Sequence, residues 1–347
     1  MSIHDVLQSR QVPWTTGDGA ESDVIISTRV RLARNFAAQR FPNRIEREEA
    51  MQVWKYLLDF ADEHDSYQFY RLDQVESLDK QALVATHLIS PDHARDDDCP
   101  RALVLRGDLS ESIMINEEDN LRIQVFRPGL SIGDAWQAAN TLDDAIGCYG
   151  KYAFSDKLGY LTACPTNLGT GLRVSLMLHL PAIVAGRQTG ILQQVTSMGM
   201  AVRGFFGEGS KASGNLFQLS NQVTLGRSEE DTLANVLGVA RRIAEQERKL
   251  REGFLAKEEV FTDRCYRALG ALTHARLLSS TECYELLSLV RLGVCMGVIK
   301  EHCLAQITPL FLYAHPGYVQ YLSGKQLKSE ARDAARARFI RNKITSY

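Results

Sequence analysis

From about residue 20 to residue 225 the chain is cut into short apolar or alternating runs, each fenced by turn formers. "DVIISTRVRL", "RALVLRG", "ESIMIN", "LRIQVF" and "LFQLSNQVTLG" are bounded by Gly, Asp, Asn or Pro. Runs this short, with a period of two, suit strands better than helices. Between them, "REEAMQVWKYLLDFADEH" and "SIGDAWQAANTLDDAIG" carry helical spacing. The pattern predicts an α+β domain, a mixed sheet with helices packed on it. At Ser228 the character changes. "SEEDTLANVLGVARRIAEQERKLREG" opens with a capping-box pattern, Ser228 to Asp231, and Leu233, Val236, Leu237, Ala240 and Ile243 then keep helical spacing. Beyond residue 256 strand signals nearly vanish. "TPLFLYA" puts Pro309 at a first helical position with Thr308 as cap, and "KSEARDAARARFIRNKI" reads as a basic amphipathic helix. The expected division is an α+β domain over 1–256 and an all-helical domain over 257–347.

Bulk properties remove several function classes. A net charge of -2 gives no global attraction to nucleic acid or membrane surfaces. "MSIHDVLQSRQVPW" has no apolar signal core, and no run of about 18 apolar residues occurs, so the expected location is the cytoplasm. Seven scattered cysteines without a C-x-x-C pair argue against a disulfide framework and a zinc ribbon. H-E-x-x-H and the Walker loop are absent, and "GEGSKASG" misses the G-x-G-x-x-G spacing.

Four stretches concentrate charge or reactive groups. In "STRVR", Arg29 and Arg31 share one strand face. They form either a solvated face or a site for an anion gripped by forked guanidiniums. In "INEEDNLRIQ", Glu117, Glu118 and Asp119 fall in a turn with Arg122 just after. This is either an acidic hairpin tip or a carboxylate able to hold a guanidinium. "VRGFFGEGSKASGN" sets Arg203 and Glu208 in a glycine-rich loop, either a plain connection or one that closes over a ligand. "LGYLTACPTNLGTGLRVSLMLHLP" joins Cys164, a tight turn and Arg173. Its thiol is either a small core residue or one activated by arginines and turn amides.

Taken together, "STRVR", "NEED" followed by "LR", "CPTNLGTGLR" and the "RG..GE" loop resemble, in order and spacing, the phosphagen (creatine and arginine) kinases. "HLISP", "INEED", "GNLFQLSNQVTLG" and "RDAARA" extend the resemblance to the bacterial protein-arginine kinase (McsB-type) branch, from about Ser22 to Ala337. The resemblance implies a central antiparallel sheet flanked by helices, with a helical C-terminal domain. It implies ATP as phosphoryl donor, with Mg²⁺ held by the nucleotide phosphates rather than by protein side chains. Residue by residue, it implies that Arg29, Arg31, Arg122, Arg173 and Arg203 wrap the phosphates. Ser27, Thr28, Val30, His87, Val174, Ser175, Leu176, Met177, Gly204, Phe205, Phe206, Gly207 and Glu208 complete the ATP site. Glu118 and Glu208 hold the acceptor guanidinium, with Cys164 beside it. Arg332, Asp333, Arg336 and Ala337 form an allosteric phosphoarginine site, with the two arginines forking around one phosphate.

The implied activity is phosphorylation of arginine side chains in proteins. A free guanidino-compound kinase and a chemically inactive phosphoarginine-binding adaptor are the alternatives. The implied partners are a heat-shock repressor as substrate, a zinc-finger activator protein, a Clp-type protease chaperone and a second copy in a homodimer. Two departures stand out. Asn120 occupies the place of a histidine in the family's N-E-E-D-H. Only about twenty residues precede the first motif, where kinases of free guanidino compounds carry a helical domain; the short lead favours a protein acceptor.

Overall fold

The computed structural model describes residues 2–96, 99–188, 190–204 and 213–345. Ten strands are present among them: β1 (Ile25–Arg34), β2 (Tyr67–Arg71), β3 (Ala102–Arg106), β4 (Glu111–Ile115), β5 (Leu121–Pro128), β6 (Phe154–Ser155), β7 (Gly159–Tyr160), β8 (Leu172–His179), β9 (Met200–Gly204) and β10 (Leu216–Asn221). Eight form one sheet in the order β2-β3-β4-β5-β1-β8-β10-β9, while β6 and β7 make a separate hairpin. Every pairing is antiparallel. The strand runs left the sheet mixed; the register resolves it to the antiparallel form that the resemblance implies.

Alternation gives the sheet two different faces. One carries Val30, Leu32, Val104, Ile113, Ile123, Val174, Leu176 and Leu219. It is roofed by α2 (Arg47–Glu63), α4 (Ile132–Gly147) and α7 (Glu229–Leu255), whose Leu57, Phe60, Ala139, Leu142, Val236 and Ile243 complete that core. Ser228 is the N-cap of α7 and accepts from the Asp231 amide at 3.0 Å, so the helix starts where the sequence put it.

The opposite face is divided. Leu103, Leu105, Met114 and Phe126 are apolar and pack with Trp14, with α1 (Ile3–Ser9) and α3 (Ser77–Ala85), and with C-terminal helices. Those helices are α8 (Glu258–His274), α9 (Ser280–Cys295), α10 (Leu304–Ile307), α11 (Leu310–Ala314), α12 (Pro316–Leu322) and α13 (Ser329–Thr345). Two short helices, α5 (Pro181–Ala185) and α6 (Gly190–Ser197), bridge β8 and β9. Pro309 sits one position earlier than expected, as the N-cap of α11, because Thr308 ends α10. In the middle of this face the apolar side chains stop and a patch of arginines begins.

Candidate active site

The register brings the arginines together. In β1, Arg29 lies opposite Ser175 and Arg31 opposite Arg173 on β8; on the other side Ala33 lies opposite Arg122 on β5. Arg203 on β9 pairs with Gln218 on β10, which pairs in turn with Met177. All five arginines line one cavity of about 320 Å³, together with His87, Ser90, Gln124, Gln218 and His315. A narrower cleft lined by Trp14, Ser27, His87, Phe126 and Met177 shares Arg29, His87 and Gln218 with it.

Like charges directly opposite on neighbouring strands are unfavourable unless an anion lies between them. The guanidiniums register that conflict. Burial, then Arg122 and Arg173, push Arg29 down to about 10. Burial, then Arg29, Arg122 and Arg173, push Arg31 well below its usual value. Arginine keeps its charge in proteins, so a polyanion in the cavity relieves the repulsion. Neutral groups already hold their tips: Arg29 donates to Gln218 Oε1 at 3.1 Å and Arg31 to Ser175 Oγ at 3.2 Å. His87, in a left-handed conformation (φ 62), is pushed down to about 3, first by burial and then by Arg29, and faces the cavity neutral.

The acidic turn before β5 divides its carboxylates. The Glu117 side chain is buried, binds Arg122 at 2.7 Å and accepts from the Ser90 hydroxyl. Glu118 is 41% exposed and holds Arg122 at 3.0 Å and the Asn167 amide at 3.3 Å. It is therefore the carboxylate of this turn open to an incoming guanidinium. Asp119 is buried and accepts from Asn35 and from the Ala163 amide, each at 2.7 Å. Asn120 is fully buried: its amide donates to Asn35 Oδ1 at 2.8 Å and its Oδ1 accepts from the Phe36 amide at 3.0 Å. Its task is to clamp the turn to the end of β1, which a neutral amide performs without titrating. The departure from histidine thus falls on a structural position.

The turn between Cys164 and Arg173 is held from below. Arg34 is buried against Asp143 at 2.7 Å and donates to the Thr170 carbonyl at 2.9 Å, with its guanidinium 3.5 Å from the Tyr160 ring. Gly171 has φ +63, and a Cβ there would come within 2.6 Å of the Ala33 carbonyl oxygen and 2.7 Å of the Arg34 guanidinium. Only glycine allows that approach, which sets the start of β8 and hence the place of Arg173. Cys164 is partly exposed, with its sulfur 3.0 Å from Thr166 Oγ1.

Other residues of the expected ATP set lie elsewhere. The side chains of Val30, Val174 and Leu176 are fully buried in the helix-covered core, facing away from the arginines, so only their backbone can serve the nucleotide side. Thr28 Oγ1 donates to the Gly129 carbonyl at 2.7 Å and accepts from the Ser131 amide at 3.0 Å, which makes it a turn anchor. Gly204 ends β9 opposite Phe217. Phe205, Phe206, Gly207 and Glu208 lie outside the described residues. Ser90, Gln218 and Arg34 escaped the sequence reading. Gln218 could have been found only from the β10 register, and Arg34 only from its burial.

In α13, Arg336 is almost fully buried. It donates to the Ala314 carbonyl at 2.8 Å, the Leu278 carbonyl at 2.6 Å and Asp333 at 2.6 Å. Ala337 is fully buried too. The Arg336 guanidinium is thus held by the chain's own carbonyls and by Asp333. Arg332 and Asp333 are the members with partly exposed side chains.

Residues 49–250 match the model of the ATP:guanido phosphotransferase C-terminal catalytic domain, and residues 258–347 that of the protein-arginine kinase McsB C-terminal domain. The chain belongs to the protein-arginine kinase branch of the ATP:guanido phosphotransferases. It is similar over its whole length to protein-arginine kinases of Brevibacillus brevis (43% identity, 99% of this chain and 98% of the relative) and Bacillus subtilis strain 168 (41%, 99% and 96%). In fold it is similar to lombricine kinase, with a TM-score of 0.61 at 23% identity, covering 72% of this chain and 76% of that one. The duplicated taurocyamine kinase of Schistosoma mansoni gives 0.61 at 24%, covering 70% and 35% respectively. As a member of this family the chain is a phosphotransferase of the class that acts on a guanidino group.

Proposed function

We propose that the chain transfers the γ-phosphoryl group of ATP to the guanidino group of arginine side chains in proteins. One observation carries this reading: five guanidiniums converge on one cavity at whose edge Glu118 presents an exposed carboxylate. The cavity suits a polyphosphate, and the carboxylate suits the acceptor cation.

In this reading Arg29, Arg31, Arg122, Arg173 and Arg203 bind the phosphates and neutralise charge as the γ-phosphoryl group moves. Glu118 takes the acceptor fork through two parallel hydrogen bonds. Glu208 is assigned the second carboxylate role on its motif alone, and Cys164 lines the acceptor side. A guanidinium has a pKa above about 12 and is a poor nucleophile. The carboxylates orient one nitrogen, draw its proton and leave its lone pair aimed at the γ-phosphorus. The N–P bond forms as the P–O bond to ADP breaks, and the proton passes through a glutamate to water. Orientation of this kind can lower the barrier by several kcal/mol.

Among the described residues no group of three or more His, Cys, Asp or Glu could hold a metal. An arginine-lined cavity instead fits a nucleotide that brings its own cation. Mg²⁺ bound to the phosphates would supply further charge neutralisation there.

Residues 1–256 then carry the chemistry and 257–347 the recognition. Arg332 and Asp333 are proposed to contact a phosphoarginine, with Arg336 holding Asp333 in place. On kinship with the protein-arginine kinases we also assign a heat-shock repressor, a zinc-finger activator and a Clp-type protease chaperone as partners, a homodimer as the assembly and the cytoplasm as the location. Among the described residues no helix is long and apolar enough to cross a membrane.

The test is incubation with ATP and an arginine-rich protein, followed by mass spectrometry of acid-labile phosphate. Phosphate on arginine side chains is expected. Labelling of free arginine with none on protein overturns the reading.

A further inference from the structure

The turn carrying Cys164 and Asn167 is sandwiched between two short segments. On one side is the β6–β7 hairpin. Tyr160 and Gly169 exchange backbone hydrogen bonds at 2.7 and 3.3 Å, and the Phe154 and Tyr160 rings lie 5.3 Å apart. On the other side, Thr224 Oγ1 donates to the carbonyls of Thr166 at 3.0 Å and Leu168 at 2.7 Å. A Cβ on Gly169 would come within 2.8 Å of the Leu225 Cα. Both flanking segments hold large apolar side chains out of the core: Phe154 (57% exposed) and Leu158 (42%) on the hairpin, Val223 (44%) and Leu225 (46%) on the other turn. Several exposed apolar side chains gathered around one polar turn are unusual on a protein surface and mark a contact region.

We propose that this rim docks the polypeptide on either side of the acceptor arginine, and that the enzyme prefers extended segments with an apolar residue next to that arginine. This rests on the assignment of Glu118 and Cys164 to the acceptor end. The rim is continuous with that end, because Asn167 of the same turn donates to Glu118. The occupant is a protein substrate. A free guanidino compound has no chain to reach Leu158 or Leu225. Apolar residues next to the acceptor arginine fill the contacts offered by Phe154, Leu158, Val223 and Leu225. Association through such a rim adds affinity around the reacting group without touching the phosphates.

The experiment uses the full chain and two labelled peptides of equal length and charge, each with one arginine, flanked by Leu in one and by Ser in the other. Binding is read by fluorescence anisotropy and transfer by acid-labile phosphate. The wild type is expected to bind and phosphorylate the Leu peptide at least about tenfold better, the equivalent of 1.4 kcal/mol. The pairs Phe154→Ser with Leu158→Ser and Val223→Ser with Leu225→Ser are each expected to cut that preference to about threefold or less. Transfer to the Ser peptide, the KM for ATP and the melting temperature should stay unchanged. Equal binding of both peptides by the wild type, or an undiminished preference in both variants, overturns the rim. So does a change of oligomeric state in the variants, which would make the surface an interface between copies. If neither peptide is phosphorylated the assignment of the reaction fails, and anisotropy alone still decides the rim.

Discussion

Lowering the pH from 7.5 to 5.5 should cost the fold stability through two buried histidines. His179, at the end of β8, is fully buried; its Nε2 lies 2.8 Å from Ser288 Oγ and its Nδ1 lies 2.9 Å from the Arg291 guanidinium. Since arginine only donates, Nδ1 must accept and Nε2 must carry the hydrogen. Burial, then Arg291 and Arg251, hold this imidazole well below its usual pKa. His93, also fully buried, points Nε2 at the Ala102 carbonyl at 3.0 Å and is pushed down to about 3 by burial. Both are neutral when folded and have the ordinary pKa of about 6.5 when unfolded. Their stabilisation is therefore present above pH 6.5 and is lost as the pH falls below 6.5 towards the folded values, because the unfolded chain then binds protons that the folded one refuses. One unit below 6.5, each costs about 1.4 kcal/mol, so the pair costs about 3 kcal/mol. At about 2 °C per kcal/mol for a chain at the large end of the surveyed range, melting should fall by about 5 °C or more. His87 and His315, pushed down to about 3 and about 4, act in the same direction. The assay is thermal unfolding by circular dichroism at the two pH values, on the wild type and on His179→Gln. The variant keeps a donor and an acceptor but cannot charge, so its acid-induced drop should be smaller by about 2–3 °C. An unchanged melting temperature in the wild type, or an equal drop in the variant, would refute the argument.

Glu118→Gln should lower kcat by about 100-fold or more while the KM for ATP changes little, because a preorganised charge at the acceptor is lost and the arginines remain; steady-state kinetics checks it. Gly171→Ala should destabilise by about 2 kcal/mol or more, since it combines positive φ with a blocked approach to the Ala33 carbonyl. It should also raise the KM for ATP, because Arg173 begins two residues later; urea unfolding and kinetics read the two effects. Arg336→Met should cost about 3 kcal/mol by stranding buried carbonyls and Asp333, whereas Arg332→Ala should cost less than about 1 kcal/mol; the difference is read from denaturation midpoints.

Legibility in the sequence followed the physics that wrote each part. The period of two in "STRVR" places Arg29 and Arg31 on one face from spacing alone. The apolar character of Val30 and Leu32 then fixes which face turns to α2, α4 and α7. The antiparallel register, by contrast, depends on which strand lies beside which. No local pattern says that Arg31 will stand opposite Arg173 or that Gln218 will meet Arg29. The weak strands β2 and β9 passed unnoticed for a related reason: both are edge strands, where partial exposure blurs the alternation. Arg34 and Arg336 show the other limit. A basic residue in a sequence suggests surface or ligand, yet each of these guanidiniums is consumed by backbone carbonyls and one carboxylate in the interior. What separates an arginine that binds the chain from one that faces the cavity is what its guanidinium meets: carbonyls and a carboxylate for Arg34 and Arg336, the cavity for Arg29 and Arg31.

The helices after residue 257 looked in sequence like an appended unit, but their apolar residues do not close on themselves. Leu287, Phe311 and Ile340 join a core with Leu83, Leu103 and Phe126, so the C-terminal helices help cover the face that also holds the arginines. Helix α9 makes the connection specific. Before its first turn, the Leu278 carbonyl receives Arg336 and the Leu278 amide donates to the Asp333 carbonyl at 3.2 Å. Further along, Ser288 Oγ meets both His179 and the Asn215 amide, each at 2.8 Å, and Arg291 donates to the carbonyls of Ser22 and Asp23. The same helix thus grips α13 at one end and, at the other, the end of the strand that carries Arg173. Buried polar contacts of this kind are costly to leave half made. A displacement of α13 must therefore either carry α9, and with it the end of β8, or break these buried hydrogen bonds.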